Sequence, residues 1–141
     1  MERWPLISKQ NVEIVRGAIE SLLAGGFTDY GEALAPRFSW DLTAYPFPGW
    51  PDQGAGREAY LGQLREYAAG WRNYDVKLLD LQDAGNDVIV TSLERVGMPD
   101  SDMTLERQVT VVRTVDDDGR ICRLRVFKTH DEALKAVGLE E

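Results

Sequence analysis

The stretch YDVKLLDLQDAGNDVIVTSLERV, residues 74–96, decides the fold. Between 74 and 78, apolar and charged residues alternate, which is the pattern of a β-strand with one buried face. Leu79 and Leu81 then shift this phase by one residue, as a β-bulge does. Gly85-Asn86 predicts a hairpin turn, and a second strand follows over 87–96. The stretch therefore predicts an antiparallel hairpin that is bent at its bulge.

The chain after this hairpin continues as sheet and ends in a helix. Two further strands are predicted, over 104–115 and 120–128, each reached through a loop or turn rich in Gly and Asp. Thr129 with Glu132 forms a capping box for a short terminal helix, which Gly138 ends. The C-terminal half is therefore an antiparallel meander closed by one helix.

Three helices are predicted before the hairpin. Ser8 is the N-cap of the first, whose apolar residues recur at helical spacing until Gly25-Gly26. A short second helix buries Tyr30 and ends at Pro36. A longer third helix begins at Arg57 and carries an apolar, aromatic stripe.

A short strand and an aromatic loop lie between the second and third helices. Over 38–42 apolar and polar residues alternate, which predicts a strand with one buried face. The segment 44–56 holds three prolines and three glycines and is predicted to be an irregular loop. Its aromatic residues Tyr45, Phe47 and Trp50 indicate either a flap over an apolar ligand or packing on the protein's own core, and the second is favoured.

This order of elements predicts one domain, over 1–141, of the α+β class. The sheet is expected to be antiparallel, strongly curved and cone-shaped, with helices closing its concave face. Such a shape leaves an apolar cavity between the helices and the sheet.

The composition excludes several function classes. The chain of 141 residues carries a net charge of −8 and has no Lys/Arg cluster, so a nucleic-acid partner is not expected. One cysteine and one histidine cannot supply a structural zinc site or an intramolecular disulfide. No cofactor is expected. No stretch is apolar enough to span a membrane, and the N-terminus lacks the apolar run of a signal peptide, so we expect a cytoplasmic protein.

Short motifs distributed along the chain resemble the nuclear transport factor 2-like superfamily, in its SnoaL-like, polyketide cyclase-related branch. The resemblance covers about Gln10 to Leu139 and implies the cone-shaped fold and a ligand-binding pocket. It does not imply one function, because this scaffold hosts isomerases, cyclases, hydrolases and non-catalytic domains. The motifs are NVEIVR at 11–16, FSWD at 38–41, GRE at 56–58, DAGND at 83–87, DGRI at 118–121, and EAL at 132–134 with Gly138-Leu139.

The catalytic residues of related enzymes have no equivalents at the matching positions. The three ketosteroid isomerase positions, a base and two oxyanion donors, would fall on Trp40, Ala18 and Val111 or Thr110, and none of these residue types can do that chemistry. Asp41 alternates to the opposite face from Trp40 and would be a base only in a register shifted by one residue.

The C-terminal third also resembles limonene epoxide hydrolase, in the stretch LERV at 93–96 above all. The arginine of that enzyme would be Arg95. The two acids that it bridges would fall on Gly97 and Val126, which cannot replace them.

Strand alternation and these resemblances together predict the lining of the cavity. Arg95, Arg107 and Lys128 would place three cations near its mouth, suited to a ligand that carries a carboxylate or enolate. In the alternative interpretation, which is favoured, Glu94, Glu106 and solvent satisfy these bases as surface ion pairs. The predicted ligand-binding residues are Trp40, Tyr60, Leu64, Arg95, Arg107, Val111, Val126 and Lys128.

Two function classes remain open. The missing acids favour a non-catalytic domain that binds a small apolar or anionic molecule. The alternative is a small-molecule enzyme of the isomerase, cyclase or hydrolase type that uses other cavity residues, with a tyrosine, Asp41 or Arg95 as candidates. The sheet face of Glu106, Gln108, Thr110 and Val112 is predicted to be uncovered and to form a symmetric homodimer.

Overall fold

The computed structural model describes residues 4–47 and 49–139. Within these residues the chain forms four helices and six strands. The helices are α1 (Trp4–Leu23), α2 (Phe27–Glu32), α3 (Arg57–Ala69) and α4 (His130–Ala136). The strands are β1 (Leu34–Asp41), β2 (Gln53–Ala55), β3 (Asn73–Ala84), β4 (Asp87–Gly97), β5 (Thr104–Val115) and β6 (Ile121–Phe127).

The six strands form one open sheet in the order β2-β1-β6-β5-β4-β3. The predicted meander of β3 to β6 and the α+β class are confirmed. Two features were not predicted. The segment 44–56 contains the short strand β2 at the sheet edge, and β1 runs parallel to β6 although every other pair is antiparallel. A parallel pair needs a long crossover connection, and the segment from β2 to β5 between β1 and β6 provides it.

The bulge predicted in the first strand of the hairpin is present in β3. Its pairing with β4 shifts register between Leu78 and Asp80. Leu79, the extra residue, is exposed. Two-residue alternation resumes after it in a new phase, and the added twist bends the sheet toward its inner face.

Helices α1 and α3 lie on the inner face of this curved sheet and form the main core with it. Val15 and Ile19 of α1, with Tyr60 and Leu64 of α3, belong to one buried apolar cluster with residues of β1, β4, β5 and β6. Helix α1 contacts β3 and β4, and α3 contacts β1, β2 and β3. The two helices together therefore cover the inner face from β1 to β4, and both contact β3.

Helix α4 crosses the outer face of the sheet, which corrects one prediction. Ala133 of α4 is buried against Ile89 and Val112. Thr110 and Val112 are both 0% exposed, so the sheet face predicted to be uncovered is partly covered. The physical reason is that the apolar side of α4 needs a partner, and the nearest apolar surface is the outside of β4 and β5.

Helix ends agree with the predictions at the C-terminus more closely than at the N-terminus. The Thr129 side chain accepts a hydrogen bond from the Glu132 backbone N–H at 3.1 Å, which confirms the predicted cap. Helix α1 begins at Trp4 rather than after Ser8, and Pro36 lies within β1 instead of ending α2. Among the described residues, none of the helices combines the length and the apolar character that a membrane crossing requires.

Candidate functional site

A cavity of about 260 Å³ lies between the inner sheet face and the helices α1 and α3. Its wall is mostly apolar and aromatic, with a few polar side chains. The apolar and aromatic lining residues are Ile19, Leu22, Leu23, Phe27, Leu42, Phe47, Trp50, Tyr60, Leu64, Tyr67, Ala68, Tyr74, Val76, Val90, Val109, Val111, Leu124 and Val126. The polar ones are Asp75, Ser92, Glu94 and Arg113.

The inner face of β4 carries Glu94, and Arg95 points the other way. Arg95 lies outside: 59% of its side chain is exposed, and its Nη2 lies 2.6 Å from Glu106 Oε2. The prediction that Arg95 lines the cavity is therefore wrong. The reason is that directly paired residues share a face, and Arg95 pairs with Glu106 whereas Glu94 pairs with Arg107. The surface ion pair with Glu106 that was favoured for Arg95 is confirmed.

Glu94 is a buried carboxylate held by an arginine and a tyrosine. Its side chain is 6% exposed, and its Oε1 accepts a hydrogen bond from Arg107 Nε at 2.7 Å. The Tyr67 hydroxyl lies 3.3 and 3.4 Å from the two carboxylate oxygens and accepts from Arg107 Nη2 at 3.2 Å. These three side chains form a closed, charge-balanced cluster in the cavity wall.

The cluster changes the acidity of the groups around it. Burial and then the negative charge of Glu94 raise the pKa of Tyr67 to about 12. The same two causes raise the pKa of Tyr74 well above its ordinary value. Burial alone would lower the pKa of Arg107, but its hydrogen bond and charge interaction with Glu94 raise it overall. Arg107 is thus cationic, and both tyrosines are neutral hydroxyl groups at neutral pH.

A second polar group in the cavity wall is Arg113, which is 8% exposed. Its Nη1 donates to the Tyr30 hydroxyl at 2.8 Å. The Tyr30 and Tyr60 hydroxyl oxygens are also 2.8 Å apart. The Arg113 Nε has no hydrogen-bond partner among residues 4–47 and 49–139. Within that part of the chain, no carboxylate oxygen lies within salt-bridge distance of Arg113.

The remaining predicted ligand-binding residues fall into three groups. Tyr60, Leu64, Val111 and Val126 line the cavity. Arg107 is not among the lining residues but pairs with Glu94, which lines the cavity. The pairing agrees with the favoured interpretation that acids satisfy the predicted cations, except that Glu94 is buried and the pair is not a surface pair.

Trp40 and Lys128 are not among the lining residues. Trp40 is buried beside the cavity, where its Nε1 donates to the Pro51 carbonyl at 3.1 Å. Lys128 is exposed, with its ammonium 6.0 Å from the Tyr45 ring centroid. The predicted alternation of β6 is right at Val126, but Lys128 lies one residue past the end of the strand.

Asp41 lies on the opposite side of β1 from the cavity. Its carboxylate accepts hydrogen bonds from the Thr43 hydroxyl at 2.6 Å and from the Thr43 backbone N–H at 2.9 Å. These bonds hold the pKa of Asp41 below its usual range. Asp41 is therefore a loop-anchoring carboxylate at the strand end and is not a cavity base.

The aromatic loop forms part of the cavity wall. Phe47 and Trp50 line the cavity, and both pack on Tyr67 with ring centroids 5.4 and 6.0 Å apart. The Arg107 guanidinium carbon lies 4.2 Å from the Phe47 ring centroid and 4.8 Å from that of Tyr45. The loop thus packs on the protein's own core, as favoured, and at the same time covers the cavity.

The cavity cannot be assigned a metal from its residues. Within the described part of the chain, no three His, Cys, Asp or Glu side chains come together as a metal site would require. Its polar side chains are two carboxylates, the exposed Asp75 and the paired Glu94, with Ser92, three tyrosines and Arg113, which has no acid partner in the described part of the chain. Such a set can bind polar atoms of a ligand and, at Glu94, exchange a proton.

Comparison with known proteins gives structural neighbours only. No family model matches the sequence, and no curated protein matches it. Among solved structures, an NTF2-like protein from Burkholderia thailandensis E264 has a TM-score of 0.71 at 22% identity, covering 93% of this chain and 98% of that one.

Two further neighbours come from Mycobacterium tuberculosis. A limonene-epoxide-hydrolase-like (LEH-like) epoxide hydrolase has a TM-score of 0.64 at 19% identity, over 92% of this chain and 90% of that one. A protein in complex with estradiol-17beta-hemisuccinate has a TM-score of 0.71 at 14% identity, over 86% and 95% of the two chains. The chain has the fold of the nuclear transport factor 2-like proteins, as its sequence motifs predicted.

Proposed function

We propose that this protein binds a small, mainly apolar molecule in the cavity between its sheet and the helices α1 and α3. The observation that carries the proposal is the composition of the cavity wall: a continuous apolar and aromatic surface interrupted by Glu94 and Arg113. A mostly apolar pocket with a few placed polar groups is the usual character of a small-molecule site.

The cavity volume sets the ligand size. An engineered apolar cavity of about 150 Å³ admits benzene. The volume of about 260 Å³ therefore suits a compound of one or two rings. The M. tuberculosis neighbour in complex with estradiol-17beta-hemisuccinate supports a small-molecule role for this fold, although steroid conjugates exceed that size.

Filling the cavity tests this proposal. Leu64 lines the cavity, so Leu64→Trp should place an indole in the ligand's space. The control is Leu79→Trp, because Leu79 is exposed at the bulge of β3. A panel of one- and two-ring aromatic compounds should bind the native protein and Leu79→Trp in calorimetric titrations, and should bind Leu64→Trp at least tenfold more weakly. Equal binding to both variants would place the ligand elsewhere.

A second candidate function is an enzyme of the isomerase, cyclase or hydrolase type, with Glu94 as its proton-transfer group. The observation that favours it is the buried carboxylate on the cavity wall, an acid that the sequence alone did not place there. Glu94→Gln keeps the shape and removes the base. If Glu94→Gln still binds the ligand but no longer turns it over, the enzyme is supported. If Glu94→Gln retains turnover, this mechanism is excluded.

We also propose that the protein is cytoplasmic and that it forms a symmetric homodimer through the part of the outer sheet face that α4 leaves uncovered. Glu106 and Gln108 are exposed on that part of the face, and Glu106 forms an ion pair there with Arg95. Sedimentation equilibrium at micromolar concentration should give twice the monomer mass. A monomeric mass would contradict the dimer without affecting the cavity.

A further inference from the structure

Arg113 is the charged group of the cavity for which the described part of the chain provides no acid partner. It is more than nine-tenths buried, and its hydrogen-bonding neighbours within residues 4–47 and 49–139 are the hydroxyls of Tyr30, at 2.8 Å, and of Tyr60. Tyrosine is neutral at ordinary pH, so it satisfies a donor without balancing the charge. A buried guanidinium without an acid is costly and is stabilised by any anion that reaches it.

Among the buried charged groups of the cavity wall, one positive charge is in excess. Glu94 and Arg107 cancel each other at a distance of 2.7 Å. Asp75 is exposed and solvated. Glu94 cannot also form an ion pair with Arg113. Glu94 is paired with Arg107, and Arg113 lies six residues further along β5, which is about 20 Å along the strand. The uncompensated charge therefore stays at Arg113.

The tyrosine pair provides a second donor beside Arg113. One hydrogen bond joins the Tyr30 and Tyr60 hydroxyls, so only one of their two hydrogens is used in it. The other hydrogen has no acceptor among the described residues. Tyr60 lines the cavity and Tyr30 does not. If Tyr30 donates to Tyr60, the free hydrogen is that of Tyr60 and is available to a bound molecule. Burial, then its neighbour Tyr30, raises the pKa of Tyr60 well above its ordinary value, so this hydrogen is retained.

We propose that Arg113 and Tyr60 bind an anionic oxygen, that of a carboxylate, phenolate or enolate, on a singly charged one- or two-ring ligand. This inference rests on the proposed small-molecule function and specifies its ligand class. The anionic oxygen accepts from the Arg113 guanidinium and the Tyr60 hydroxyl, while the rings of the ligand contact the apolar wall. A cationic or neutral compound of the same shape leaves the Arg113 charge unbalanced.

Matched pairs of probes test the proposal. Benzoate and 2-naphthoate are compared with benzamide and 2-naphthamide, which have nearly the same shape and no charge. Calorimetric titration at pH 7.5 should show each carboxylate binding the native protein about tenfold or more tightly than its amide, the ratio expected for hydrogen bonds to a charged group.

Two variants assign this preference to named groups. Arg113→Met should abolish the preference for the carboxylate, and should weaken the amide much less, because the neutral amide loses one hydrogen bond but no charge attraction. Arg95→Met is the matched control, because Arg95 lies on the outer face of the same sheet; it should keep the full preference. Tyr60→Phe removes one hydroxyl without changing the ring, and should weaken the carboxylate several-fold and the amide hardly at all. It provides a second test if Arg113→Met does not fold.

The outcomes separate this inference from the proposed function. If carboxylates and amides bind the native protein equally, or if Arg113→Met and Arg95→Met behave alike, the anion site is excluded while the cavity function stands. If neither class of probe binds the native protein, the proposed function fails, and the anion site fails with it.

Discussion

Glu94 and Arg107 face each other across β4 and β5, with the carboxylate Oε1 2.7 Å from the guanidinium Nε. Glu94 is almost wholly buried, and Arg107 retains a quarter of its side-chain exposure. The Arg107 side chain is enclosed by Phe47 and Tyr45 of the loop. The pair therefore joins the sheet to the loop that covers the cavity. The charge of each partner offsets the free-energy cost of burying the other.

Removing Arg107 should destabilise the protein, because it leaves the Glu94 carboxylate buried without a cation. Arg107→Met is expected to lower the free energy of unfolding by about 2–4 kcal/mol, somewhat less than the full value for a buried pair because Arg107 is partly exposed. Urea denaturation followed by tryptophan fluorescence measures the change.

The Arg95–Glu106 pair on the outer face is the natural control for this experiment. Its partners are 59% and 44% exposed, so solvent screens their attraction. Arg95→Met should cost less than about 1 kcal/mol. Equal losses for Arg107→Met and Arg95→Met would mean that the cavity pair contributes no more than a surface pair.

The sequence predicts the strands of this fold well because their alternation and turns are local. The bulge at Leu79, the turn at Gly85 and the cap at Thr129 all rest on a few neighbouring residues. The edge strand β2 was missed because three residues are too few to show a period. The parallel pairing of β1 with β6 joins residues that are far apart in the chain, such as Leu34 and Ile121, and no local pattern records it.

The register of β4 was misjudged for a physical reason. β4 is a central strand covered on both faces, by the cavity side within and by α4 outside. Val88, Ile89 and Val90 are consequently all buried, and the two-residue alternation is lost. β5 keeps its alternation over Arg107, Val109 and Val111, and its pairing with β4 fixes Glu94 inside.

Arg113 could have been found from the sequence, but its partner could not. The alternation that places Val109 and Val111 inside continues by one step to Arg113. Tyr30, to which Arg113 donates, lies on α2 and is 83 residues away in the chain. The inward orientation of Arg113 follows from strand alternation. The position of the Tyr30 hydroxyl, which accepts its hydrogen bond, depends on how α2 packs.

Gly54 should be intolerant of a side chain. A β-carbon at this position would overlap the Trp40 ring, which is fixed by burial and by its hydrogen bond to Pro51. Gly54→Ala is expected to lower the free energy of unfolding by about 1–3 kcal/mol, the usual cost of overpacking. Gly62→Ala is the control, because nothing lies within 4 Å of a β-carbon there and the residue is inside α3. It should raise stability by about 0.5–1 kcal/mol. A neutral Gly54→Ala would show that β2 can move away from Trp40.

Tyr67 gives the protein a pH dependence on the alkaline side. Its pKa is raised to about 12 in the folded state, whereas an unfolded tyrosine titrates near about pH 10. Between these values the unfolded chain has lost a proton that the folded chain keeps, so stability falls as the pH rises. The contribution of this group is up to about 1.4 kcal/mol per pH unit. Denaturation midpoints in steps from about pH 9 to about pH 12 should fall less steeply in Tyr67→Phe than in the native protein. Parallel pH profiles would show that Tyr67 ionises alike in both states.

Arg113→Met should not destabilise the protein appreciably, in contrast to Arg107→Met. The substitution gives up the hydrogen bond to Tyr30, worth about 1 kcal/mol, but it also removes a buried charge that no described carboxylate balances. Apolar replacement of a poorly compensated buried ion is often neutral or favourable. The free energy of unfolding, from urea denaturation in ligand-free buffer, should stay within about 1 kcal/mol of the native value or rise. A loss as large as that of Arg107→Met would show that Arg113 already has a compensating partner within the protein. The contrast between the two arginines is therefore a test of the uncompensated charge that needs no ligand.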